Sequence, residues 1–363
     1  MQITAALTYA PDAPFEIQDV ELDEPRDDEI LVRMVAAGIC HTDLGVKAAW
    51  PAGAGPLVLG HEGAGVVEAV GDGVSDLRPG DHVLLSYRSC RECDSCRGGH
   101  VSYCERFREL NAVGVRPDGS TTMRRGDTPV HGSFFGQSSF ATHALAYASN
   151  TVKVDDRLDL TVAAPLGCGI QTGAGAVLNV LKPEPGSSFV VFGAGGVGLA
   201  GLMAAAHLGV DTAIAVDVVP SRRELALELG ATHALDPRDG DVVAAIAELT
   251  GGGADTAFDT TGIPAVVVNA AKALGRLGSL ALVGTGEALA TLDIKDLIRG
   301  GKSVRGVMEG DADPIRFVPE LIELVQQGRL PIDRMIVSYP FADINRAVAD
   351  ARSGVTIKPV LTF

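Results

Sequence analysis

The sequence predicts an α/β fold with two parts, a mainly β, barrel-like domain and a doubly wound parallel sheet. Residues 1–150 of the 363-residue chain contain short β-rich runs such as EILVRMVAAGI. Turns rich in Pro, Gly and Asp, such as PAGAGP and RPGD, separate these runs. Apolar strands and helices alternate from about residue 170, which is typical of a parallel sheet covered on both faces. A glycine turn joins the first strand of that second region to a helix.

The second part is predicted element by element from its apolar runs. The strand SFVVF leads through the glycine turn into an apolar helix, and TAIAVD forms the next buried strand. SRRELALELG and DVVAAIAELTGG are predicted helices, followed by the strand ADTAFDTTG, the helix IPAVVVNAAKAL and the strand GSLALVG. Later, PIRFVPELIELVQQGRL has the spacing of an amphipathic helix, and the strand-like tail TIKPVLTF is expected to return to the first domain.

Composition and charge disfavour several classes of partner. A formal net charge of −16 describes a surface that repels nucleic acid and anionic membranes. The N-terminal stretch lacks the basic start and apolar segment of a signal peptide, and no uncharged apolar run reaches the length of a membrane span. We therefore expect a cytoplasmic protein without nucleic-acid or membrane partners. In a reducing compartment six cysteines do not imply disulfides, so their spacing becomes informative.

A G-x-G-x-x-G pattern at Gly193, Gly195 and Gly198 predicts a dinucleotide site. It lies between a predicted strand and a predicted helix, where glycine permits a tight turn and close approach of the backbone to a pyrophosphate. Asp217 ends the next predicted strand, 19 positions after Gly198, where a carboxylate binds the adenosine ribose.

Asp217 also bears on which nicotinamide cofactor is bound. Its carboxylate would repel a 2′-phosphate, so the sequence predicts NAD rather than NADP. Arg222 and Arg223 follow the same strand and weaken this preference, because an arginine there can accept a phosphate. The alternative interpretation is a glycine turn that binds no cofactor, but strand, turn, helix and acid all occur in register.

Four cysteines form a C-x2-C-x2-C-x7-C pattern at Cys90, Cys93, Cys96 and Cys104. Four thiolates on one short loop can close a tetrahedral zinc shell with no position for water, which is typical of a structural site. Disulfide pairing is an alternative that a reducing compartment disfavours. An iron–sulfur cluster is a second alternative, less favoured because the last interval is long and no proline follows Cys104.

The two remaining cysteines, Cys40 and Cys168, can form a second metal site with His61 of the GHE sequence. A catalytic zinc generally has three protein ligands and one open position, and a Cys2His set supplies the three. Each of these cysteines alone is more often a small buried side chain than a ligand. The combination points to catalysis because the same chain carries a second zinc-type pattern and a nicotinamide-type fold.

Together these motifs resemble the zinc-dependent medium-chain alcohol dehydrogenases. The resemblance rests on GHEGAGVV, the four-cysteine lobe, LGCGIQTGAGAVLN and FGAGGVGL, and it extends over the whole chain. CHTDL and GCGIQTGAGAVLNVLKP look most like the aryl-alcohol (benzyl-alcohol) dehydrogenase branch. The resemblance implies a GroES-like catalytic domain at 1–169 with a structural zinc lobe at about 88–106, a Rossmann NAD-binding domain at 170–307, and a return to the catalytic domain at 308–363.

The resemblance also implies roles for individual residues, with NAD and two zinc ions per subunit as cofactors. The implied catalytic set is Cys40, Thr42, Asp43, His61, Glu62 and Cys168. In this set Glu62 is an alternate zinc ligand, Asp43 orients His61, and Thr42 takes the alcohol proton. The implied cofactor-binding residues are His41, Gly193, Gly195, Gly196, Val197, Gly198, Asp217, Arg222 and Lys358, with His41 and Lys358 at the pyrophosphate. The residues implied to line the substrate cleft are Trp50, Ser86, Phe134, Phe135 and Met308.

The implied reaction is the reversible oxidation of a primary alcohol to its aldehyde, with benzyl and other aryl alcohols as the expected substrates. Zinc would lower the pKa of the alcohol and hold the alkoxide beside the nicotinamide for hydride transfer. Gly45 departs from the pattern of many relatives, in which a histidine three residues after the threonine ends a proton relay. The terminal base is therefore absent or comes from elsewhere, and His41 is the nearest candidate in sequence.

Other functions stay open at this point. A thiol-dependent formaldehyde dehydrogenase would need a cationic pocket, to which Arg106 and Arg108 could contribute, and a terpenoid alcohol dehydrogenase would act on geraniol-like substrates. A catalytically silent nucleotide-binding structural or sensor protein would require a broken ligand set, yet all three ligands are present. Beyond a small-molecule alcohol or aldehyde, the partner expected by analogy is a second copy of the chain, in a homo-oligomer that is a dimer or a tetramer.

Overall fold

The structure, a computed structural model, describes residues 1–51 and 53–363. Its strands are β1 (Gln2–Thr8), β2 (Glu16–Leu22), β3 (Glu29–Gly38), β4 (Leu57–Val58), β5 (Glu62–Val70), β6 (His82–Leu85), β7 (Met123–Arg125), β8 (Thr128–Val130), β9 (His143–Tyr147), β10 (Thr151–Val154), β11 (Ser188–Phe192), β12 (Thr212–Val216), β13 (His233–Leu235), β14 (Ala254–Asp259), β15 (Leu274–Leu282), β16 (Ser303–Gly306), β17 (Ile336–Pro340) and β18 (Lys358–Thr362). Its α-helices are α1 (His41–Ala49), α2 (Asp94–Arg97), α3 (Phe107–Asn111), α4 (Leu160–Ala163), α5 (Gly169–Gly175), α6 (Gly196–His207), α7 (Pro220–Glu228), α8 (Val242–Thr250), α9 (Pro264–Ala273), α10 (Ile294–Gly300), α11 (Pro314–Gln326) and α12 (Ile344–Ser353). A π-helical segment, Ala176–Leu181, continues α5.

The described chain divides into two compact units. The first unit contains residues 1–168, 313–322 and 333–363, and the second contains residues 169–312 and 323–332. The sequence-based division instead assigned all of residues 308–363 to the first domain, whereas the structure assigns residues 308–312 and 323–332 to the second unit. Residues 308–312 belong to the second unit because their turn packs on α5 and its continuation. Asn179 donates to the Gly310 carbonyl at 3.0 Å, and a Cβ on Gly175 would lie 2.6 Å from the same oxygen.

The first unit is built on two sheets. One has the strand order β4-β1-β2-β7-β8, and the other runs β10-β6-β5-β3-β18-β17 with β9 paired to β3. β18, near the end of the chain, pairs antiparallel with β3 so that Val360 lies opposite Gly38. Ile39 then donates to the Pro359 carbonyl at 2.9 Å, which places the start of α1 beside β18.

The second unit is a six-stranded sheet in the order β13-β12-β11-β14-β15-β16, and each pair of neighbours is parallel. β11, one of its two central strands, is buried along its whole length, as the apolar run FVVF predicts. Helices α6 to α10 connect successive strands of this sheet in chain order. The predicted fold class, a mainly β domain combined with a doubly wound parallel sheet, is confirmed.

Helix α1 is anchored to the first unit near its C-terminal end. Lys47 is buried, and its ammonium donates to the carbonyls of Ala10, Pro11 and Ala13 at 3.0, 2.7 and 2.6 Å. All three ammonium donors are thereby satisfied, which offsets the cost of burying the charge. The anchor holds α1 in place, and with it the polar residues of its first turn.

Within residues 1–51 and 53–363, no single helix combines the length and the apolar composition of a membrane span. Residues 160–181 meet both criteria only when two short helices are taken together.

Candidate metal centres and nucleotide site

Three segments of the first unit bring Cys40, His61 and Cys168 together. Cys40 is the N-cap of α1, His61 directly precedes β5, and Cys168 follows a short 3-10 turn, Ala164–Gly167. Their ligand atoms all lie within 4.8 Å of one another. Two sulfurs and one imidazole nitrogen at this spacing are a donor set that zinc prefers.

Asp43, in the first turn of α1, positions two of these three side chains. It is fully buried, with 0% of its surface exposed. Its Oδ2 accepts from the Cys40 backbone N–H at 3.0 Å. Its Oδ1 accepts from the Gly60 N–H at 3.0 Å and from His61 Nδ1 at 2.9 Å. One carboxylate therefore orients the imidazole and the loop that carries the first cysteine.

The second ring nitrogen of His61 has no hydrogen-bond partner among the described residues. Because Nδ1 donates to Asp43, the neutral ring carries its lone pair on Nε2. A buried nitrogen in this state is costly unless some group binds it. The unpartnered nitrogen and the two nearby sulfurs fit a zinc ion, so the donor set agrees with the metal that the sequence predicts.

The surroundings of the cluster favour ionised ligands. A hydrogen bond with Cys168 does most to lower the pKa of Cys40 well below its ordinary value, and it outweighs the opposite effect of burial. Burial is the largest single influence on the pKa of His61 and acts to lower it, but Asp43 and Cys40 together raise that pKa well above the ordinary value. A metal binds thiolate and neutral imidazole, so its binding is expected to release a proton from this site.

Glu62, the residue after His61, forms a buried ion pair with Lys358. The Lys358 Nζ lies 2.9 Å from both carboxylate oxygens, and the two side chains belong to residues that are 0% and 4% exposed. A Cβ on Gly38 would lie 2.0 Å from Glu62 Oε2, so only glycine leaves room for the carboxylate. The structure thus pairs Glu62 with Lys358. The alternate-ligand role of Glu62 and the pyrophosphate role of Lys358 stay predictions.

The first turns of α1 carry the residues predicted for proton transfer. Thr42 Oγ1 lies 3.8 Å from Cys40 Sγ, next to the candidate zinc site. His41 and Gly45 are exposed, and a Cβ on Gly45 would meet no atom within 4 Å. The helix therefore has open space at Gly45, the position at which the sequence lacks a base to end the proton relay.

Gly45→Ala is expected to raise the free energy of unfolding by about 0.5–1 kcal/mol. Glycine in the middle of α1 costs backbone entropy, and the new methyl group would enter open space. Urea unfolding of the zinc-loaded protein measures the change. Turnover should stay at the wild-type level because alanine adds no base, and a loss of stability would contradict the open environment of this position.

Two phenylalanines pack against the ring of His61. The ring centroid of Phe135 lies 4.6 Å from that of His61, and the ring of Phe134 lies edge-on at 5.6 Å. Phe135 is buried and has a φ of +52°, in the left-handed region that bulky side chains rarely adopt. The surrounding packing must hold this conformation, so the aromatic wall is a fixed part of the site.

The other predicted cleft residues have different surroundings. Ser86 is buried, and its hydroxyl donates to the Gly167 carbonyl at 2.6 Å. Trp50 is the C-cap residue of α1, and its indole N–H donates to the Gly55 carbonyl at 2.9 Å. Met308 belongs to the second unit. Contact of these three residues with a substrate stays a prediction.

Gln137 is a residue of the site that no sequence motif indicated. It is fully buried, and its Nε2 donates to the carbonyls of His61 at 3.0 Å and Ser86 at 3.2 Å. Its Oε1 accepts from the Gly63 N–H at 3.0 Å. These bonds tie the backbone at His61 and Gly63, and that of Ser86, to the aromatic segment that precedes Gln137. In sequence Gln137 is an amide that follows FFG, a pattern with no spacing from which a role could be inferred.

The four-cysteine cluster also assembles. The sulfurs of Cys90, Cys93, Cys96 and Cys104 all lie within 4.8 Å of one another. The Cys90 and Cys93 backbone N–H groups donate to the sulfurs of Cys104 and Cys90, each at 3.3 Å. The sulfurs of Cys90 and Cys96 are 3.9 Å apart, well beyond the ~2 Å of a disulfide. Four sulfurs at this spacing could close a tetrahedral shell around one metal ion.

The four thiols cannot all ionise without a cation. Backbone hydrogen bonds lower the pKa of Cys93 to about 7, whereas burial raises the pKa of Cys96 to about 12. Burial also raises the pKa of Cys104. Four thiolates in so small a volume repel one another, and a divalent metal would offset that repulsion. The cluster therefore fits a structural zinc ion.

The three motif glycines meet three different steric requirements after β11. Gly193 has a φ of +93°, and a Cβ there would lie 2.5 Å from Thr260 Oγ1. Gly195 is the N-cap of α6, and a Cβ there would meet no atom within 4 Å, so its backbone is open to a ligand. A Cβ on Gly198 would lie 1.9 Å from the Gly193 carbonyl oxygen. The turn has the shape of a dinucleotide phosphate site at a helix N-terminus. Gly196 and Val197, also predicted to bind the cofactor, are the first two residues of that helix.

Asp217 lies beside this turn, directly after β12. Its carboxylate accepts from the Ala194 N–H at 2.7 Å and the Val219 N–H at 2.8 Å. Arg222 Nη1 lies 3.9 Å from Asp217 Oδ2, and Arg223 donates to the Asp217 carbonyl at 2.7 Å. The predicted ribose-binding acid and both predicted arginines therefore meet at the C-terminal end of β12.

Two family models match the chain. The alcohol dehydrogenase GroES-like domain matches residues 26–156, and the zinc-binding dehydrogenase domain matches residues 196–327. The first range includes Cys40, His61 and the four-cysteine cluster. The second includes Asp217 and the helix that follows the glycine turn.

Known proteins are similar to nearly the whole chain. A geraniol dehydrogenase of Castellaniella defragrans is 45% identical over 363 residues, covering 99% of this chain and 97% of the relative. An alcohol dehydrogenase zinc-binding domain protein from Burkholderia ambifaria is 50% identical with a TM-score of 0.97. A benzyl alcohol dehydrogenase from Acinetobacter calcoaceticus is 46% identical with a TM-score of 0.96. Both structural matches cover 100% of this chain and 99% of the other. Site geometry, family models and relatives agree, and the chain belongs to the zinc-dependent medium-chain alcohol dehydrogenase family.

Proposed function

We propose that this alcohol dehydrogenase oxidises primary aryl alcohols, with benzyl alcohol as the reference substrate, reversibly to their aldehydes. The observation that carries the proposal is the packing of Phe134 and Phe135 on the ring of His61. A flat aryl group can pack against such rings while its hydroxyl lies at the candidate zinc site. The name of the Acinetobacter relative, a benzyl alcohol dehydrogenase, supports the same substrate class.

A terpenoid allylic alcohol is the second candidate substrate. It is favoured by the 45% identity with a protein named geraniol dehydrogenase. An allylic alcohol, like a benzyl alcohol, is flat next to the carbon that bears the hydroxyl. The rings of Phe134 and Phe135 can therefore pack against either alcohol. The ratio of kcat/KM for benzyl alcohol and geraniol distinguishes the two substrate classes.

The proposed enzyme contains NAD and two zinc ions per chain. Cys40, His61 and Cys168 would hold the catalytic ion, and the four-cysteine cluster would hold the structural one. When bound, the catalytic zinc supplies a Lewis acid that acidifies the alcohol hydroxyl and polarises the aldehyde carbonyl.

The residues of α1 would position the ligands and move the proton. Asp43 keeps the His61 proton on Nδ1 and so leaves Nε2 free as a donor to metal. Thr42 Oγ1 would accept the alcohol proton, and the exposed His41 is the next titratable group along the helix. Gly45 offers no base, so the proton would leave through Thr42 to solvent or to His41.

An NADH-absorbance screen of the zinc-loaded protein tests the substrate proposal. The alcohols are benzyl alcohol, geraniol and ethanol, with formaldehyde plus a thiol as a fourth condition and metal content measured on the same sample. We expect kcat/KM for benzyl alcohol to exceed that for ethanol by about a hundredfold, because the ring adds a few kcal/mol of burial. A higher value for geraniol would assign the terpenoid class. Activity only with formaldehyde and thiol, or with none of these substrates, would overturn the proposal.

Asp217→Ser is expected to move the NAD/NADP ratio of kcat/KM toward NADP by about a hundredfold, or ~2.7 kcal/mol. The change removes a ribose acceptor and the repulsion of a 2′-phosphate, and it frees Arg222 at 3.9 Å. Steady-state kinetics with both cofactors measure the ratio. Asp239→Ser, at an exposed acid of the same unit, is the control and should keep the wild-type ratio. Comparable kcat/KM for the two cofactors in the wild type would contradict the predicted NAD preference.

Self-association through the second unit is a further part of this proposal. Several large apolar side chains of this unit are exposed to solvent. The exposed fraction is 81% for Leu277, 85% for Leu289, 69% for Ile294 and 74% for Ile298. β16 lies at the edge of the six-stranded sheet, where it can pair with another chain. Light scattering should give the mass of a dimer or tetramer, and Ile298→Glu should lower it. A monomeric wild type would exclude the oligomer.

A further inference from the structure

His131 lies in the first unit, outside both cysteine clusters, where segments from three parts of the sequence meet. Its backbone N–H donates to the Pro56 carbonyl and its carbonyl accepts from the Val58 N–H, both at 2.9 Å. Gly114 has a φ of +70°, and a Cβ there would lie 3.0 Å from His131 Cβ. The backbone contacts and the neighbouring glycine therefore fix where the imidazole ring lies.

Both ring nitrogens of His131 face carbonyl oxygens. Nδ1 lies 3.1 Å from the Val113 oxygen, and Nε2 lies 3.0 Å from the Ala54 oxygen. A carbonyl only accepts, and a neutral imidazole has a single N–H, so the neutral ring can satisfy just one of the two. The imidazolium has an N–H on each nitrogen and satisfies both. Protonation thus decides whether Ala54 and Val113 are joined through this ring.

The ring also packs edge-on against Trp50, with centroids 5.1 Å apart and an interplanar angle of 79°. Trp50 is the C-cap residue of α1, and its N–H donates to Gly55 in the loop that follows. His131 therefore contacts that loop twice, at its first residue through the indole and near its end through Ala54. The loop continues from the helix that begins after Cys40.

We propose that His131 is a protonation-dependent positioning residue for Trp50 and the loop after α1, and that its imidazolium form gives the higher affinity for substrate. The claim about substrate affinity rests on the proposed function, because it assumes that Trp50 lines the alcohol site. Among the described residues, the ring faces the Val113 and Ala54 carbonyls and the Trp50 indole, and no carboxylate is paired with it. Lys47 is the charged residue of α1 nearest to Trp50 in sequence. Its ammonium donates to the carbonyls of Ala10, Pro11 and Ala13.

Trp50 is the only tryptophan of the chain, so tryptophan emission comes from the residue that contacts His131. An imidazolium in contact with indole quenches emission more strongly than a neutral imidazole. The zinc-loaded protein is titrated between about pH 5 and 8, the range in which histidine changes charge. We expect one sigmoidal rise of emission with pH. The KM for benzyl alcohol should rise over the same range, with a component of about fivefold from the lost hydrogen bond.

His131→Gln keeps a side-chain donor that does not titrate. This variant should give emission that is independent of pH, and it should lose the fivefold component of the KM rise while kcat changes less than KM. His207→Gln removes an exposed histidine of the second unit and is the matched control. It should keep both the emission titration and the KM profile of the wild type.

Emission that does not titrate in the wild type, or that still titrates in His131→Gln, would overturn the protonation-dependent contact. The wild-type titration decides this point even if the variant does not fold. A titration that is lost in His131→Gln while the KM profile stays unchanged would overturn the link to substrate affinity. Failure of the proposed function has a different signature, because no alcohol would be oxidised while the emission titration stays intact. That outcome would also overturn the claim that His131 affects substrate affinity.

Discussion

Cys168→Ala is expected to remove the zinc held by Cys40, His61 and Cys168 and to lower kcat by at least about a thousandfold, or ~4 kcal/mol. The loss follows because charge stabilisation by the metal depends on a complete ligand set. The fold should survive, since Cys168 is a small buried side chain and alanine removes only its sulfur. Metal content, NADH formation and circular dichroism on one preparation measure the three effects.

Cys104→Ala is the matched variant in the four-cysteine cluster. It should also lose one zinc ion, but its main effect should be a lower unfolding midpoint, because that cluster lies outside the proposed reaction. Wild-type zinc content or retained oxidation of benzyl alcohol in Cys168→Ala would contradict the catalytic assignment. An unfolded spectrum would instead give Cys168 a role in the fold.

Lys358→Met is expected to lower the free energy of unfolding by about 3–5 kcal/mol. The Lys358 ammonium lies 2.9 Å from both oxygens of Glu62, and the two residues are 4% and 0% exposed. Methionine fills similar space but removes the positive charge that neutralises the buried Glu62 carboxylate. Burial already raises the pKa of Glu62, which shows how poorly this environment solvates the charge. Urea unfolding of the zinc-loaded protein measures the loss.

Two further variants separate the buried pair from ordinary ion pairs. Arg26→Met breaks a contact with Asp118 between side chains that are 47% and 56% exposed, and it should cost no more than about 1 kcal/mol. Adding Glu62→Gln to Lys358→Met removes the negative charge that Lys358 no longer neutralises, so the double variant should recover part of the stability. If Lys358 instead served mainly as a pyrophosphate contact, the KM for NAD would rise while the free energy of unfolding stayed near the wild-type value.

The metal and nucleotide sites could be predicted because each needs a residue type that few others replace. Only glycine suits the φ of +93° at Gly193 and the 1.9 Å approach at Gly198. Only cysteine supplies thiolate ligands, so spacing alone divided six cysteines into a group of four and a pair. The parallel sheet was predictable for a similar reason, since a strand buried on both faces needs an apolar run.

Short elements and a glycine-rich helix could not be predicted from local patterns. β13 and β16 are too short for periodicity, and α10 exposes apolar residues that a sequence pattern would place inside. The stretch GIQTGAGAVLN has the glycine content of a loop, yet it is helical. A Cβ on Gly173 would lie 2.0 Å from the Val197 carbonyl oxygen, so glycine here serves close helix packing. Only the neighbouring helix shows that reason.

Residue type and spacing in the chain were enough to identify the fold class, the two zinc-type donor sets and the nucleotide turn. The partners of buried polar groups depend on the path of the chain instead. Lys358 meets Glu62 across 296 positions, and Gln137 meets the carbonyl of His61 across 76. No local pattern relates residues so far apart, and burial removes the water that would otherwise satisfy them. Tertiary structure therefore decided which charge, amide or ring supports the site, including the ion pair behind His61 and the two carbonyls that face His131.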